Sequence, residues 1–161
     1  MRQNLTYEIV GVACGLGSDN RETSGAPAIV RSAGLVERLR RLGFSVVDGS
    51  DIALPTGTSL DEGSADPKLR NLDAMKLLAA RMIPALTEVY ARGNCPIVIG
   101  GDHALSMVSV SVAAEVLRRR RGPEARLGVL WVDAHGDLNT PETTPSGNLH
   151  GMPAAVLLGR G

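Results

Sequence analysis

Three potential metal ligands occur at every second position between residues 133 and 137. Asp133, His135 and Asp137 stand in the stretch DAHGD, directly after the apolar run 127–132. Such a run predicts a buried strand, and open α/β sheets keep their sites at the carboxyl ends of strands. If the backbone stays extended past the strand, the three side chains fall on one side, because side chains alternate with a period of two. The pattern predicts a metal site; the alternative is a polar loop with solvated acids.

A further histidine holds the same place after the preceding apolar run. His103 ends the stretch GGDH, which follows residues 95–99. Parallel strands put both polar stretches at one edge of the sheet, and the paired glycines allow close backbone approach where a ligand binds. Asp102 is a possible acceptor for a ligating imidazole. Carboxylate and imidazole ligands without cysteine favour manganese, with zinc as the competing ion; the alternative for His103 is a local hydrogen bond.

Three stretches together resemble the arginase branch of the ureohydrolase family. They are GGDH at 100–103, DAHGD at 133–137 and NTPETTPSGNLHGMP at 139–153, in the family's order and spacing. The resemblance covers essentially the whole chain, beginning with the region 11–27. It implies an enzyme with two manganese ions that hydrolyses L-arginine to L-ornithine and urea. It also implies a homo-oligomer when the enzyme is complete.

The resemblance also implies a role for each polar residue of these stretches. Asp133 would bridge both ions, His103 and Asp137 would bind one ion, and His135 would bind the other. We expect His150 and Asp137 to be the catalytic residues, with His150 as a proton shuttle whose pKa lies near the working pH. The alternative for His150 is a residue at a helix start without a catalytic part.

The polar loop between the DAHGD stretch and His150 is implied to hold the amino-acid end of the substrate. Asn139, Thr144 and Ser146 match positions that bind the α-carboxylate, and Asn148 matches one near the α-amino group. Neutral donors suit a carboxylate without competing for the metal ions. Without the resemblance, these residues would be ordinary turn formers. The loop favours arginase over agmatinase-type relatives, whose substrate has no carboxylate.

The family's later pair of metal-binding aspartates has no counterpart in these 161 residues. We therefore interpret 1–161 as the amino-terminal portion of a single ureohydrolase domain whose carboxyl-terminal half is absent, and we expect this chain alone to be inactive. Two alternatives remain. One is a non-catalytic metal-binding remnant, and the other is a related amidinohydrolase acting on agmatine or another guanidino compound.

Composition narrows the function classes. The chain has 43% hydrophobic and 21% charged residues and a formal net charge of +0, so neither a nucleic-acid nor an anionic-membrane partner is indicated. No apolar run reaches the roughly 20 residues of a membrane span, and we expect a cytoplasmic protein. Cys14 and Cys95 lie in apolar contexts and are interpreted as buried thiols.

Strands that alternate with helices predict an α/β fold, a three-layer α/β/α arrangement around a parallel sheet, here incomplete. A helix kink or break is expected at Pro84, and 48–71 should be a long surface loop. In the family the third and fourth strands are separated by two strands of the absent half, so the fourth strand should lack a partner or pair wrongly. The predicted strands are 7–14, 44–47, 95–99 and 127–132, and the predicted helices are 27–43, 72–92, 104–121 and 151–158.

Overall fold

A three-stranded parallel sheet forms the centre of the molecule. The computed structural model describes residues 5–58 and 68–160, so part of the predicted 48–71 loop lies outside the described residues. The strand order is β2-β1-β3, with Thr6 opposite Ser45 and Tyr7 opposite Cys95. The elements are β1 (Thr6–Val12), α1 (Ala26–Ser32), α2 (Leu35–Arg41), β2 (Ser45–Asp48), α3 (Leu72–Ala91), β3 (Cys95–Gly100), α4 (Ser106–Arg121) and α5 (Pro153–Leu157).

Alternate residues of β1 supply the two faces of the sheet. Val10 and Val12 pack in the larger core cluster with α3 and α4, whereas Ile9 packs in a smaller cluster with Val36 of α2 and Val46 of β2. This is the period-two alternation expected of a central strand that is buried on both faces. The α/β class and the incomplete three-layer arrangement predicted from the sequence are confirmed.

One helix prediction was wrong, and one of the two outcomes expected at Pro84 did not occur. The single helix expected over 27–43 is two helices, because Gly34 adopts a left-handed conformation with φ of 83° and ends the run of helical residues. Conversely, α3 continues through Pro84 without a break. Leu78, Met82 and Leu86 on this helix are fully buried, and that packing on both sides of the proline outweighs the lost backbone hydrogen bond.

The predicted fourth strand does not form. Residues 127–132, called the 127–132 segment below, make no ladder with any strand in the described part of the chain. Four of its apolar side chains are exposed, those of Leu127, Val129, Leu130 (88%) and Val132 (86%), whereas Trp131 is half-buried. Of the two outcomes expected for this strand, the one observed is the absence of a partner.

Two smaller expectations concern the cysteines and membrane spans. Cys14 is buried as predicted, but Cys95 is only half-buried, and neither forms a disulfide. The described residues contain no helix with the length and apolar character needed to cross a membrane.

Candidate metal and substrate site

Three of the four predicted metal ligands converge beyond the carboxyl end of β3. His103 Nδ1 lies 2.8 Å from Asp133 Oδ2 and 2.7 Å from Asp137 Oδ2. One ligand atom from each residue falls within a group whose members are all within 4.8 Å of one another. Residues from two distant parts of the chain therefore offer one imidazole nitrogen and two carboxylate oxygens to a common point.

The chemistry of this group suits a divalent cation. Two carboxylate oxygens face one ring nitrogen, which carries at most one proton, so at least one oxygen lacks a donor there. Asp137 Oδ2 is indeed buried and has no hydrogen bond of acceptable geometry among the described residues. A buried carboxylate oxygen without a donor is costly unless a cation compensates it. The residues present thus fit a metal ion with oxygen and nitrogen ligands.

Asp133 remains anionic at neutral pH. The backbone N–H of His135 donates to Asp133 Oδ1 at 2.8 Å. This hydrogen bond, with smaller contributions from the charges of His103 and His135, lowers the pKa of the Asp133 carboxyl below its usual value despite some desolvation. An ionised carboxylate is the form that binds a metal ion.

His135 lies apart from the group, contrary to the expected convergence of all three DAHGD ligands. Its side chain is 85% exposed, and its Nδ1 lies 3.5 Å from Asp133 Oδ1. The expectation assumed an extended backbone, but the Asp133 carboxylate draws the His135 N–H back and bends the chain at 134–135. Asp137 then adopts φ of 49°. The period-two alternation therefore fails over these five residues.

Helix α5 fixes the position of Asp137. The Asp137 carbonyl accepts hydrogen bonds from the backbone N–H groups of Ala154 and Ala155 at 3.0 and 3.2 Å. These N–H groups belong to the first turn of the helix, where no intrahelical acceptor exists. The left-handed conformation of Asp137 is thus held by a helix terminus, and its side chain is held toward His103.

Asp102 and Gly17 hold the His103 turn against the loop after β1. Asp102 accepts from the backbone N–H of Gly17 at 2.8 Å and of Ala104 at 2.9 Å. Its carboxylate therefore orders backbone groups. The close approach predicted for the GGDH glycines is real, but a Cβ on Gly101 would lie 1.7 Å from the carbonyl oxygen of Cys14. Because Gly101 has no side chain, the loop after β1 can pass close to its backbone.

The same Gly17 orients His150. The Gly17 carbonyl lies 2.7 Å from His150 Nδ1 and also accepts from the His150 backbone N–H at 2.9 Å. A carbonyl oxygen only accepts, so Nδ1 carries the proton. In the neutral ring, Nε2 is then left with a lone pair that can take up and release a proton.

The loop predicted to bind the substrate carboxylate has side-chain hydroxyl groups that can donate hydrogen bonds. Thr144 Oγ1 accepts from the Gly147 N–H, and Ser146 Oγ accepts from the Asn148 N–H. Each hydroxyl retains its own hydrogen for donation. Asn139 is anchored by its backbone N–H to the Gly151 carbonyl at 3.1 Å, which leaves its side chain exposed.

Two neighbours of the site were missed by the sequence reasoning. The ring of Trp131 lies against that of His103, with centroids 4.6 Å apart. Asp19 Oδ2 accepts from Asn148 Nδ2 at 3.1 Å. Trp131 could have been found as the only aromatic residue of the segment before DAHGD. Asp19 gave no signal, because an acid in a polar loop 129 residues away has no pattern that links it to Asn148.

The sequence matches a known protein family over nearly all of its 161 residues. Residues 6–161 match the family model described as the arginase family. The chain belongs to the arginase family. It is 41% identical to the arginase of Bacillus caldovelox over 153 residues, which cover 95% of this chain and 48% of that protein.

Solved structures agree with this membership. The native structure of the Bacillus caldovelox arginase superposes with a TM-score of 0.83 at 40% identity, covering 96% of this chain and 49% of that one. The Entamoeba histolytica arginase in complex with L-ornithine gives 0.83 at 29% identity, covering 99% and 51%. The chain thus spans about half the length of the arginases it matches.

Proposed function

We propose that this chain carries the amino-terminal part of an arginase site, which hydrolyses L-arginine to L-ornithine and urea with two manganese ions. The observation that supports it most is the convergence of His103, Asp133 and Asp137 within a 4.8 Å group, in a chain of the arginase family. These three residues and His135 would hold the ions, and Asp133 would serve both of them. Bound manganese ions would polarise water for attack on the guanidinium carbon.

His150 would serve as the proton shuttle. Its Nδ1–H bond to the Gly17 carbonyl fixes the ring and leaves Nε2 free to receive a proton and to pass it to the leaving amine. Asp137 contributes by holding charge at the metal site, and its tie to α5 keeps that charge in place. The contacts of Asp137 and His150 support these two proposed roles, one in binding a metal ion and one in proton transfer.

Asn139, Thr144 and Ser146 would bind the α-carboxylate of the substrate, and Asn148 would face its α-amino group. The hydroxyl hydrogens of Thr144 and Ser146 are available, since their oxygens accept backbone N–H groups. A relative's structure with bound L-ornithine supports a ligand with both amino-acid groups. Agmatine, which lacks the carboxylate, could not use these donors.

The site would be completed by polypeptide outside these 161 residues. Three clustered ligands, with His135 beside them, cannot fill the coordination shells of two ions. Asp133 and Asp137 offset only half of the four positive charges that two such ions bring. The exposed apolar 127–132 segment would also be paired and covered by strands that the described residues do not contain.

The substrate assignment can be tested in a fusion enzyme, defined as this chain followed by the carboxyl-terminal half of the Bacillus caldovelox arginase. The double substitution Asn139→Ala and Ser146→Ala should raise KM for L-arginine by tenfold or more, because a hydrogen bond to a charged group contributes about 1.5–3 kcal/mol. KM for agmatine should change little. Steady-state urea release with both substrates gives the comparison, and an equal rise for both would refute the carboxylate assignment.

A further inference from the structure

The loop after β1 holds an acid that touches the proposed substrate loop. The Asp19 carboxylate accepts a hydrogen bond from Asn148 Nδ2 through Oδ2, and its Oδ1 pairs with the Arg70 guanidinium. Asn148 is 7% exposed, whereas the Asp19 side chain is 70% exposed. A surface acid thus reaches inward to a buried amide.

That contact determines which end of the Asn148 amide is free. A carboxylate only accepts, so the amide must turn its NH₂ group toward Asp19. The Asn148 Oδ1 then points away, and it accepts no hydrogen bond within the described part of the chain. An amide without such a partner could present either its oxygen or its nitrogen to a ligand.

A free carbonyl oxygen is the group that a substrate ammonium requires. Ammonium groups only donate, so the NH₂ end of Asn148 would repel the α-amino group that the oxygen end attracts. From this juxtaposition we propose that Asp19 is a positioning residue for substrate selection: it orients Asn148 so that Oδ1 receives the α-ammonium group of an amino-acid substrate. The inference rests on the proposed function, since Asn148 must face that group.

Asp19 also contacts two other loops, those of Arg70 and Asn148. A role in holding these loops together must be distinguished from a role in orienting the Asn148 amide. The Arg70 backbone N–H donates to the Gly147 carbonyl at 3.0 Å, next to Asn148. If Asp19 only tied loops together, loss of its ion pair with Arg70 would matter as much as loss of the amide contact. If it orients Asn148, the amide contact alone matters.

Four variants of the fusion enzyme distinguish these roles: Asp19→Ala, Asp19→Asn, Arg70→Met and Asn148→Ala. The substrates are L-arginine and 5-guanidinopentanoate, which differs only in lacking the α-amino group. Asp19→Ala should raise KM for L-arginine by about tenfold, the effect of one hydrogen bond to a charged group, with kcat nearly unchanged. KM for 5-guanidinopentanoate should stay within twofold.

The other variants are the controls. Asp19→Asn should restore the parent KM, because the new amide oxygen still accepts from Asn148 Nδ2, and Arg70→Met should leave the ratio of the two KM values unchanged. In an Asn148→Ala background, Asp19→Ala should add nothing, since residues that act through one another are not additive.

Three results would overturn the proposal: an equal KM rise for both substrates, an Arg70→Met effect as large as that of Asp19→Ala, or an Asp19→Ala effect that persists without Asn148. A fusion enzyme that hydrolyses neither substrate would instead contradict the proposed function, and the inference that rests on it would fall as well.

Discussion

At the scale of single residues, the three histidines of the chain have three different surroundings. His103 lies between two carboxylates, His135 is exposed beside Asp133, and His150 is bound to a backbone carbonyl. The proposed roles follow these surroundings. His103 and His135 are assigned to metal ions, and His150 is assigned to proton transfer.

Substituting two of these histidines in the fusion enzyme should separate metal binding from proton transfer. His135→Ala should reduce bound manganese from two ions toward one per chain while leaving the fold intact, because an exposed loop side chain contributes little packing. His150→Ala is the matched control. It should keep both ions and lose about 10²–10⁴-fold in kcat.

Metal analysis after dialysis, together with far-UV circular dichroism and urea release, gives the three readouts. Unchanged manganese content in His135→Ala would contradict its assignment as a ligand. Loss of manganese in His150→Ala would mean that this residue is a ligand as well.

Residue patterns predicted which side chains lie close together better than they predicted the backbone between them. His103, Asp133 and Asp137 were found because they follow apolar runs, which is a local signal. The displacement of His135 could not be foreseen, since it results from one side chain bonding to the backbone two residues on. The hydrogen bonds of Gly17 to Asp102 and His150 join three distant loops, and no sequence period records such contacts.

Among the elements, an ion pair with a buried carboxylate joins β1 to the turn after α3. Glu8 of β1, whose side chain is 8% exposed, accepts from Arg92 Nη2 and from Asn94 Nδ2, both at 2.7 Å. Burial raises the pKa of the Glu8 carboxyl. The hydrogen bonds from Arg92 and Asn94 and the charge of Arg92 lower it, and together they outweigh burial, so the pKa lies below the ordinary 4.5.

Because the pKa of Glu8 is lowered in the folded state, the free energy of unfolding depends on pH. A carboxyl whose pKa is depressed by folding contributes stability above its unfolded pKa, and that contribution is lost as pH falls through the folded pKa. Glu8→Gln in the fusion enzyme should lower the free energy of unfolding by about 1–3 kcal/mol at pH 7. The difference from the parent should shrink below pH 4.5.

Urea unfolding at several pH values between 3 and 7 measures this difference. Glu88→Gln is the control, because Glu88 lies 3.8 Å from the same arginine but its side chain is 73% exposed, and it should change stability by less than about 1 kcal/mol. A Glu8→Gln deficit that is the same at pH 3.5 and pH 7 would show that the charge of Glu8 contributes nothing.

The elements themselves were predictable where local and tertiary preferences agree. The three strands and most helices were found within a few residues. The split between α1 and α2 depends on one glycine conformation, and the continuity of α3 depends on packing around Pro84. Neither the glycine conformation nor the packing is visible in hydrophobic periodicity.

The apolar 127–132 segment pairs with no strand in the described part of the chain and exposes most of its side chains. A cavity of about 390 Å³ separates Val98 and Gly100 of β3 from Val132 and Asp133. A second groove of about 770 Å³ lies between α4, α5 and residues 125–131. The segment's exposed apolar side chains, such as Leu130 and Val132, lack the stabilisation that burial would give, about 1.5–3 kcal/mol for each side chain, against a total stability of about 5–15 kcal/mol. An unpaired apolar edge also promotes aggregation.

We propose that residues 1–161 hold one part of a two-manganese arginase site and require the other part to act. The most direct measurement is urea release from L-arginine with manganese present, for the 161-residue chain alone, for the carboxyl-terminal half of the Bacillus caldovelox arginase alone, and for the two mixed. We expect urea only from the mixture, with cooperative thermal unfolding appearing there and absent from the chain alone. Urea release by the 161-residue chain alone, or its cooperative unfolding with two bound manganese ions, would contradict the claim.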